Sequence, residues 1–375
     1  MSAFANTFQG KRVLVTGHTG FKGSWLCEWL LGLGAKVTGL ALGPTTDPAL
    51  FSQLGLQHRL DHRIGDIQDR ATVQNVISEV QPDFVFHLAA QPLVRLSYKQ
   101  PVETYSVNVM GTVHVLDALR NLRKQCAAVM ITTDKCYENR EWLHAYREED
   151  PLGGYDPYSS SKAAAEIVIG AFRRSFFPPQ NREGVKIASA RAGNVIGGGD
   201  WAQDRIIPDA MRALRASEAI PVRNPAATRP WQHVLEPLSG YLWLAAALAA
   251  PSLLQRPSAE IFSGAFNFGP GLASNRTVVE LIEAALTFRS GNWVDQSDPN
   301  AVHEANLLNL STDKAFHLLR WQPVWDFRET VAQTVRWYLT ADQQQSDLLE
   351  LTREQIRGYQ NGARSLGLAW AAERS

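Results

Sequence analysis

The feature that most constrains this chain is the glycine-rich stretch VLVTGHTGFKG at residues 13–23. An apolar run leads into Gly17, Gly20 and Gly23, and an apolar helical pattern begins near Ser24. A buried strand that runs into a helix N-terminus directs several backbone N–H groups at one point, and glycines let a phosphate approach them. The stretch therefore favours a dinucleotide pyrophosphate site over a plain tight turn, although its G-x-x-G-x-x-G spacing departs from the usual G-x-G-x-x-G.

The first half of the chain alternates predicted strands with predicted helices. Such alternation without tandem repeats predicts an α/β fold with a doubly wound parallel sheet. We expect residues 1–192 to form a dinucleotide-binding (Rossmann) domain, and residues 193–375 to form mainly a smaller, mixed domain for the substrate, with some segments returning to the sheet. The predicted strands after the first are 36–42, 63–67, 84–90, 129–132 and 185–191, and the predicted helices include 70–80, 102–122 and 156–176.

Charge and composition exclude several classes of protein. The 37 basic residues balance 37 acidic ones without long runs, so no electrostatic field gathers nucleic acid or an anionic membrane. The three cysteines are too few for a disulfide framework, and neither they nor the nine histidines show zinc spacing, so we expect no metal. The start of the chain lacks a secretion-signal pattern, and we expect a cytoplasmic protein. The most apolar stretch, residues 238–254, is interrupted by Gly240 and Pro251, which favours a buried helix over a membrane span.

The ends of the predicted strands supply candidates for cofactor binding, because the carboxyl ends of parallel strands meet at one edge of a sheet. Asp66 ends the third strand, where its carboxylate either accepts from an adenine amino group or begins the next helix. Ala89 and Ala90 end the fourth and are small enough for a ribose to lie against the backbone. The end of the second strand reads LALG at residues 40–43, without the acid that holds the ribose of NAD or an arginine for a 2′-phosphate. This strand therefore leaves the choice between NAD and NADP open.

The predicted chemistry lies between residues 131 and 162. Tyr158 and Lys162 are four residues apart in a predicted helix, so their side chains share one face. A lysine cation and an oxidised nicotinamide ring both lower the pKa of a phenol, which makes Tyr158 a candidate general base. Thr133, Asp134 and Lys135 follow a predicted strand, where Thr133 can hydrogen-bond the substrate hydroxyl that Tyr158 contacts. The alternative is that Asp134 and Lys135 form a solvated pair in a loop.

Taken together, the motifs resemble the extended short-chain dehydrogenase/reductase family over essentially the whole chain. The resemblance is carried by TGHTGFKG, Asp66, HLAAQ at 87–91, Asn108, Thr133 and YSSSK at 158–162. Within that family, TGHTGFKGSWL, HLAAQPLVRLSY, TTDKCYEN, RAGNVIGGGDW and RPWQHV are similar to the branch of 4,6-dehydratases that acts on CDP-glucose. Sister dehydratases carry Asp-Glu where this chain has Asp134 and Lys135. The resemblance implies bound NAD, CDP-glucose as substrate, and a role in making 3,6-dideoxyhexoses for O antigen.

The resemblance also implies roles for individual residues. Asp134 is implied to be the acid and Lys135 the base of the water loss, although adjacency alone allows the reverse. The implied catalytic residues are Thr133, Asp134, Lys135, Tyr158 and Lys162. The implied cofactor-binding residues are Gly17, Thr19, Gly20, Phe21, Lys22, Gly23, Asp66, Ile67, Leu88, Ala89, Ala90, Asn108, Tyr158 and Lys162.

The substrate site is implied in the same way. Asn194 and Arg229 are implied to hold the diphosphate, since amide and guanidinium groups donate to phosphate. Arg229 is otherwise an ordinary surface ion-pair residue, and Trp231 is expected to pack rather than to stack on a base. The implied substrate-binding residues are Gln91, Thr133, Asn194, Arg205, Arg229 and His303; the specific roles of His303 and Glu304 are left open.

Three functions are consistent with these residues. The leading one is an intramolecular oxidation and reduction with water loss, in which Tyr158 takes the C4 hydroxyl proton and the new ketone acidifies C5–H. A nucleotide-sugar 4-epimerase needs the same tyrosine, Lys162 and NAD, but no acid and base at C5 and C6. The third is a non-catalytic protein that senses NAD. The resemblance further implies a homodimer or homotetramer in which the helices at 102–122 and 156–176 pair between subunits.

Overall fold

The computed structural model describes residues 3–178, 183–298, 307–343 and 347–372. Thirteen strands lie in these described ranges, and seven of them form one central sheet. In chain order the strands are β1 (Arg12–Thr16), β2 (Lys36–Ala41), β3 (Asp61–Ile64), β4 (Phe84–His87), β5 (Cys126–Ile131), β6 (Val185–Arg191), β7 (Val195–Ile196), β8 (Ile220–Val222), β9 (Thr228–Pro230), β10 (Gln232–His233), β11 (Ala265–Asn267), β12 (Asn275–Thr277) and β13 (Trp293–Asp295).

The central sheet has the order β11-β6-β5-β4-β1-β2-β3, and each neighbouring pair is parallel. The order reverses direction at β1, which is the arrangement of a doubly wound Rossmann fold. Its central strands β1, β4 and β5 are almost entirely apolar, as expected where helices cover both faces of a sheet. The structure therefore confirms the predicted fold class, with the carboxyl ends of β1, β4 and β5 side by side.

Helices cover both faces of the sheet. In chain order the helices are α1 (Phe21–Gly32), α2 (Leu50–Gln53), α3 (Arg70–Val80), α4 (Val94–Lys99), α5 (Pro101–Tyr105), α6 (Gly111–Leu119), α7 (Pro157–Phe176), α8 (Ile206–Arg215), α9 (Leu235–Ala249), α10 (Val278–Leu286), α11 (Phe327–Ala341) and α12 (Leu348–Ser365). Val13 and Val15 of β1 belong to the core cluster that includes α1 and α9, whereas Leu14 belongs to the cluster that includes α3, α6 and α7.

Two strands end earlier than the sequence predicts. β3 ends at Ile64 rather than at residue 67, so Asp66 lies beyond the strand. β4 ends at His87 rather than at residue 90, and the backbone N–H of Ala89 donates to the hydroxyl of Thr16 at 3.2 Å. In both places the predicted cofactor residues lie in the segments after the strands rather than within them.

The helices agree with the predictions except around residue 100. α3, α7 and the strand β6 lie where they are expected. Between β4 and the helix predicted at 102–122 lies α4, whose six residues are too few to show a helical period. The helix predicted at 102–122 is divided into α5, a π-helical turn at Ser106–Met110, and α6. Such π-turns are local insertions into a helix and leave no sign in its apolar pattern.

Part of the second half of the chain packs on the central sheet. β11 pairs with β6, and α9 packs on β5 and β6. α9 lies within the core along almost its whole length, which confirms the buried helix predicted at 238–254. None of the helices in the described ranges is long and apolar enough to span a membrane. Short strand pairs, β7 with β10, β8 with β13 and β9 with β12, complete this half.

Candidate active site

A cavity of about 520 Å³ extends along the carboxyl edge of the sheet, from the glycine loop to the residues after β5. Its volume lies in the range of small-molecule sites. The ends of several parallel strands and the start of α7 meet there, so residues distant in sequence share one wall. The predicted site residues that line it are Gly17, Thr19, Gly20, Phe21, Lys22, Gly23, Asp66, Ile67, Leu88, Ala89, Ala90, Thr133, Asp134, Lys135, Tyr158, Lys162, Asn194 and Arg205.

The glycine loop forms a tight cradle at one end of this cavity. Gly17 has a φ of +76°, and a Cβ there would lie 2.7 Å from the backbone nitrogen of Ala89. A Cβ on Gly23 would overlap the carbonyl oxygen of Gly17. α1 begins at Phe21, directly after the loop, and the first N–H groups of a helix have no partner within it. The loop therefore fits a dinucleotide pyrophosphate, as predicted.

The segments after β2 and β3 line the same end of the cavity. Thr19 donates to the carbonyl oxygen of Leu42 at 3.0 Å, which joins the glycine loop to the end of β2. The carboxylate of Asp66 accepts from the backbone N–H of Gln68 at 2.9 Å. Asp69, rather than Asp66, caps α3. The helix-capping alternative for Asp66 is therefore wrong, and its carboxylate lies at the cavity wall.

Tyr158 and Lys162 lie one turn apart near the start of α7, and both are buried. The carboxylate of Asp156 caps this helix by accepting from the backbone N–H of Ser159 at 2.9 Å. Burial raises the pKa of Tyr158 to about 12, and a hydrogen bond with Thr133 opposes that rise. The sequence predicts a lowered pKa, but in the protein alone the loss of hydration outweighs the nearby polar groups.

A buried ion pair between Glu166 and Arg191 lies near Lys162. Burial lowers the pKa of Lys162 to about 8, and the carboxylate of Glu166, one turn further along α7, opposes that fall. Glu166 pairs with Arg191 at 2.9 Å and accepts from the hydroxyl of Thr132 at 2.5 Å. Neither member of the pair is predicted from the sequence, although Glu166 follows Lys162 by four residues and so lies on the same face of the helix.

Asp134 is buried, with 2% of its surface exposed. Its Oδ1 accepts from the hydroxyl of Thr133 at 2.9 Å, and its Oδ2 accepts from the side-chain amide of Asn194 at 3.0 Å. Lys135 is half-buried and lines the same cavity. A buried carboxylate contradicts the alternative in which Asp134 and Lys135 form a solvated loop pair, because such a pair would be exposed.

Two further cations lie against this half of the cavity. Arg205 donates to the carboxylate of Asp200 at 2.7 Å. The ammonium group of Lys22 lies among Asp134, Arg205 and Lys162, and burial followed by the charge of Arg205 lowers its pKa to about 8. The sequence places Lys22 with the pyrophosphate. The structure adds that its long side chain extends from the glycine loop toward Asp134 and Lys162, two of the predicted catalytic residues.

The lowered pKa of Lys22 predicts a pH-dependent change in stability. Its pKa in the folded protein lies below the ordinary value of 10.5, so the folded state binds fewer protons than the unfolded state between pH 8 and 10.5. Below pH 8 folding bears the full free-energy cost of keeping Lys22 charged in the folded protein. This cost falls as the pH rises toward 10.5. Replacing Lys22 by Met should therefore raise the free energy of unfolding at pH 7 by on the order of 1–3 kcal/mol.

Denaturant titration of the cofactor-free protein at several pH values measures this effect. The difference in free energy of unfolding between Lys22→Met and the wild type should decrease between pH 8 and 10.5. Lys11→Met, at an exposed position outside the cavity, is the matched control and should change little at any pH. If Lys22→Met raised the free energy of unfolding equally at pH 7 and pH 10.5, the pKa of Lys22 would not be lowered by burial, and the prediction would be wrong.

Two residues predicted to bind the cofactor or substrate, Asn108 and Gln91, instead form hydrogen bonds within the protein. The side chain of Asn108 donates to the carbonyl oxygen of Gln91 at 3.1 Å and to the hydroxyl of Ser161 at 2.9 Å. Gln91 donates from Nε2 to the hydroxyl of Thr104 at 2.9 Å. Neither residue lines the main cavity, because these hydrogen bonds turn both side chains toward the protein interior. Their direct contact with cofactor or substrate stays a prediction, and the structure shows these side chains bonded to residues that surround the cavity.

The remaining substrate candidates lie outside the main cavity or outside the described ranges. Arg229, on β9, donates to the carbonyl oxygen of Thr228 at 2.9 Å and does not line the cavity. Trp231 is buried in the core, and its indole N–H donates to the carbonyl oxygen of Arg276 at 3.0 Å. The prediction that it packs is confirmed. His303 and Glu304 lie outside the residues that the structure describes.

The chemistry of the described site is that of an organic cofactor and polar side chains. Among residues 3–178, 183–298, 307–343 and 347–372, the structure contains no group of three His, Cys, Asp or Glu side chains suited to a metal ion. The glycine cradle, a tyrosine with a neighbouring lysine, and an adjacent carboxyl and amine share one cavity. This arrangement can bind a dinucleotide and move protons on a substrate beside it.

Comparison with known proteins agrees with the site. The family model described as GDP-mannose 4,6 dehydratase matches residues 14–334. The CDP-glucose 4,6-dehydratase of Salmonella typhimurium is 49% identical over 358 residues, which cover 94% of this chain and 97% of that protein. The structure of dTDP-glucose 4,6-dehydratase from Bacillus anthracis in complex with NAD has a TM-score of 0.70 at 21% identity, covering 90% of this chain and 99% of that chain.

A second solved structure shares the fold. UDP-glucose 4-epimerase from Thermotoga maritima with UDP-glucose has a TM-score of 0.73 at 19% identity, covering 88% of this chain and 99% of that chain. At such identities the two structures demonstrate the fold alone. The family is shown by the model match across most of the chain and by the 49% identical relative. The chain thus belongs to the GDP-mannose 4,6-dehydratase-type family of extended short-chain dehydrogenases/reductases.

Proposed function

We propose that this protein is a CDP-glucose 4,6-dehydratase, a lyase that converts CDP-glucose into CDP-4-dehydro-6-deoxy-D-glucose. The observation that carries the proposal is the presence of Asp134 and Lys135 in the same cavity as Tyr158 and the glycine loop. An epimerase needs no acid and base at C5 and C6, so this pair favours the dehydratase. The 49% identity to the CDP-glucose enzyme of Salmonella typhimurium supports the choice of substrate.

The residues of the cavity fit NAD. Gly17, Gly20 and the first turn of α1 would hold the pyrophosphate, and Asp66 lies where an adenine amino group could donate to it. Ala89 and its neighbours would lie against the ribose. When bound, NAD supplies reversible hydride exchange with the sugar, so that oxidation at C4 is balanced by reduction at C6. Tyr158 and Lys162 would lie at the nicotinamide end.

Tyr158 serves as the base for the C4 hydroxyl. Its hydroxyl is hydrogen-bonded to Thr133, which can also reach the substrate hydroxyl, so the proton has a short path. Burial raises the pKa of Tyr158 to about 12, so a nearby positive charge favours formation of the phenolate. An oxidised nicotinamide held beside Tyr158 would supply that charge.

Asp134 and Lys135 carry out the loss of water. Once C4 is a ketone, the hydrogen on C5 is acidic; Lys135 removes it as a proton, and Asp134 donates a proton to the C6 hydroxyl, which leaves as water. These roles require a neutral amine and a carboxylic acid, which together hold the same number of protons as the ion pair.

Product analysis distinguishes this function from its alternatives. Purified protein with NAD is incubated separately with CDP-, dTDP- and UDP-glucose, and the products are followed by mass spectrometry. We expect loss of one water from CDP-glucose, with a 4-keto product. A product of unchanged mass with inverted C4 would identify an epimerase. Bound NAD without turnover of any of the three sugars would identify a non-catalytic NAD-binding protein.

We expect NAD to be held loosely. The segment after β2, residues 40–46, contains no acidic residue to hold the adenosine ribose, although it lines the cavity. Activity of the purified protein should therefore rise when free NAD is added and fall when the protein is diluted without it. Protein that is already saturated with cofactor after purification, and that ignores added NAD, would contradict this prediction.

We propose that the two halves of the chain bind different ligands. Residues 1–192 provide the NAD site, and residues 193–375 contribute mainly to the nucleotide-sugar site, with α9 and β11 belonging to the first unit. The packing of α9 and β11 on β5 and β6 supports this division. Limited proteolysis that releases a stable fragment lacking α9 would count against it.

We also propose that the protein forms a homodimer or homotetramer. Large apolar side chains are exposed along α5, the π-turn and α7, including Val102 at 82% and Ile167 at 60%. Such a row on two neighbouring helices is suited to pairing with the same row on a second copy. Sedimentation that shows only monomer at micromolar concentration would exclude this assembly.

The proposed reaction suggests where the protein acts. Its product, a 4-keto-6-deoxy sugar still attached to CDP, is a suitable precursor for 3,6-dideoxyhexoses of O antigen in lipopolysaccharide. We place the enzyme in the cytoplasm, where NAD and nucleotide sugars are available. Loss of the dideoxyhexose from the surface polysaccharide of a deletion strain would support this role, and an unchanged polysaccharide would exclude it.

A further inference from the structure

Glu166 is a buried carboxylate that the proposed reaction leaves without a role. It lies on α7, four residues after Lys162, with 5% of its surface exposed. Its Oε1 accepts from the hydroxyl of Thr132 at 2.5 Å, and its Oε2 accepts from the hydroxyl of Ser189 at 2.8 Å. Because these hydroxyls belong to the end of β5 and to β6, the carboxylate is fixed between α7 and the central sheet.

Arg191, the last residue of β6, holds this carboxylate in its charged form. Its Nη2 donates to Oε2 of Glu166 at 2.9 Å, and its Nη1 donates to the hydroxyl of Tyr137 at 2.8 Å and to the carbonyl oxygen of Glu148 at 3.0 Å. Burial raises the pKa of Glu166, but the charge of Arg191 and the hydrogen bonds that the carboxylate accepts outweigh burial and lower the pKa overall. Glu166 is therefore an anion at neutral pH.

The other titratable groups beside Lys162 do little to keep it charged. They include Tyr158 one turn earlier on α7, Cys136 after β5, His87 of β4 and Lys22 of α1. Burial raises the pKa of the phenol and of the thiol and lowers that of the imidazole to about 3, so all three are uncharged at neutral pH. Lys22 adds a like charge. The carboxylate on the next turn of α7 therefore supplies a negative charge that opposes the fall in the pKa of Lys162.

We infer that Glu166 is a positioning residue that keeps Lys162 protonated during C4 oxidation, an inference that rests on the proposed function. A lysine ammonium favours the phenolate of Tyr158, whereas a neutral amine does not. Burial already lowers the pKa of Lys162 to about 8, so losing the opposing negative charge would leave a large part of it neutral near pH 7. Glu166 does not line the cavity, and it acts on the reaction through Lys162.

Glu166→Gln removes the charge and keeps the shape of the side chain. C4 oxidation is measured as NADH absorbance in a single turnover, with saturating NAD and CDP-glucose, across neutral and alkaline pH. The alkaline limb, where the rate falls as Lys162 loses its proton, should move to lower pH by about one unit or more. Glu166→Asp keeps the charge and should keep this limb close to that of the wild type. Glu283→Gln, on an exposed residue outside the cavity, is the control and should not move it.

A double variant separates this role from a structural one. Glu166→Gln leaves Arg191 buried without its counter-charge, which destabilises a fold, whereas Glu166→Gln/Arg191→Met removes the pair as a unit. Thermal unfolding should show that the double variant regains stability, while its alkaline limb stays shifted because the carboxylate is still absent. An alkaline limb at the wild-type pH in either variant, or a rate lowered equally at every pH, would overturn the inference. Failure of the proposed function would instead show in the wild type, as absence of CDP-glucose oxidation and dehydration.

Discussion

Tyr158→Phe should lower turnover of CDP-glucose at least about a hundredfold while NAD binding is retained, because general-base catalysis typically contributes that much or more. Only the phenolic oxygen is removed. The ring of Tyr158 remains to fill its buried position at the start of α7. NAD binding is measured by calorimetry or fluorescence, and the first oxidation by NADH absorbance in a single turnover, which should be lost together with product formation.

The protein offers a matched control three residues earlier. Tyr155 is 79% exposed and does not line the cavity, so Tyr155→Phe makes the same chemical change away from the site. It should leave turnover close to that of the wild type. Near-normal turnover by Tyr158→Phe would remove the role assigned to this tyrosine, whereas loss of NAD binding would mean that the variant reports on cofactor binding instead.

Lys135→Met should separate oxidation from dehydration. Methionine keeps most of the length of the lysine side chain but cannot accept the proton from C5. C4 oxidation should still be visible as NADH absorbance, since Tyr158 and Lys162 are unchanged. Exchange of C5–H with deuterated water, followed by NMR, should fall at least about a hundredfold, and formation of the 4-keto-6-deoxy product should fall with it.

Asp134→Asn gives the complementary result. The amide cannot donate a carboxyl proton to the leaving hydroxyl, so water loss should suffer more than C5 exchange. Lys11→Met, on an exposed residue outside the cavity, controls for loss of a lysine in general. Wild-type C5 exchange in Lys135→Met would show that another residue is the base, and Lys22, whose ammonium lies near Asp134, would be the next residue to test.

Some parts of the site depend on short stretches of sequence, and these could be predicted. The glycine loop needs residues without a Cβ at Gly17 and Gly23, a local requirement that the sequence states directly. The spacing of Tyr158 and Lys162 places both on one face of α7 because an α-helix has a fixed period. The bounds of α3 and β6 follow in the same way from a helical period and an apolar run.

Other parts depend on contacts between distant residues. Asn108 was expected to bind the cofactor, but it is directed inward by Gln91 and Ser161, the latter 53 residues away. The pKa of Tyr158 is expected to be lowered by Lys162 and the oxidised cofactor together, whereas in the protein alone burial by surrounding elements raises it. Lys22 was expected at the pyrophosphate, and only the packed structure places its ammonium near Asp134 and Arg205. None of these environments is encoded in a local pattern.

By itself the sequence determined the doubly wound sheet, the glycine cradle and the candidate catalytic residues, because strand periods, helix periods and glycine positions act over a few residues. Only the tertiary structure decided how those residues are supported. Asn194 meets Asp134 across 60 positions of sequence because the turn after β6 and the turn after β5 end at the same edge of a parallel sheet. Burial at that edge, which no single segment produces, then sets the protonation behaviour of Tyr158, Lys162 and Lys22.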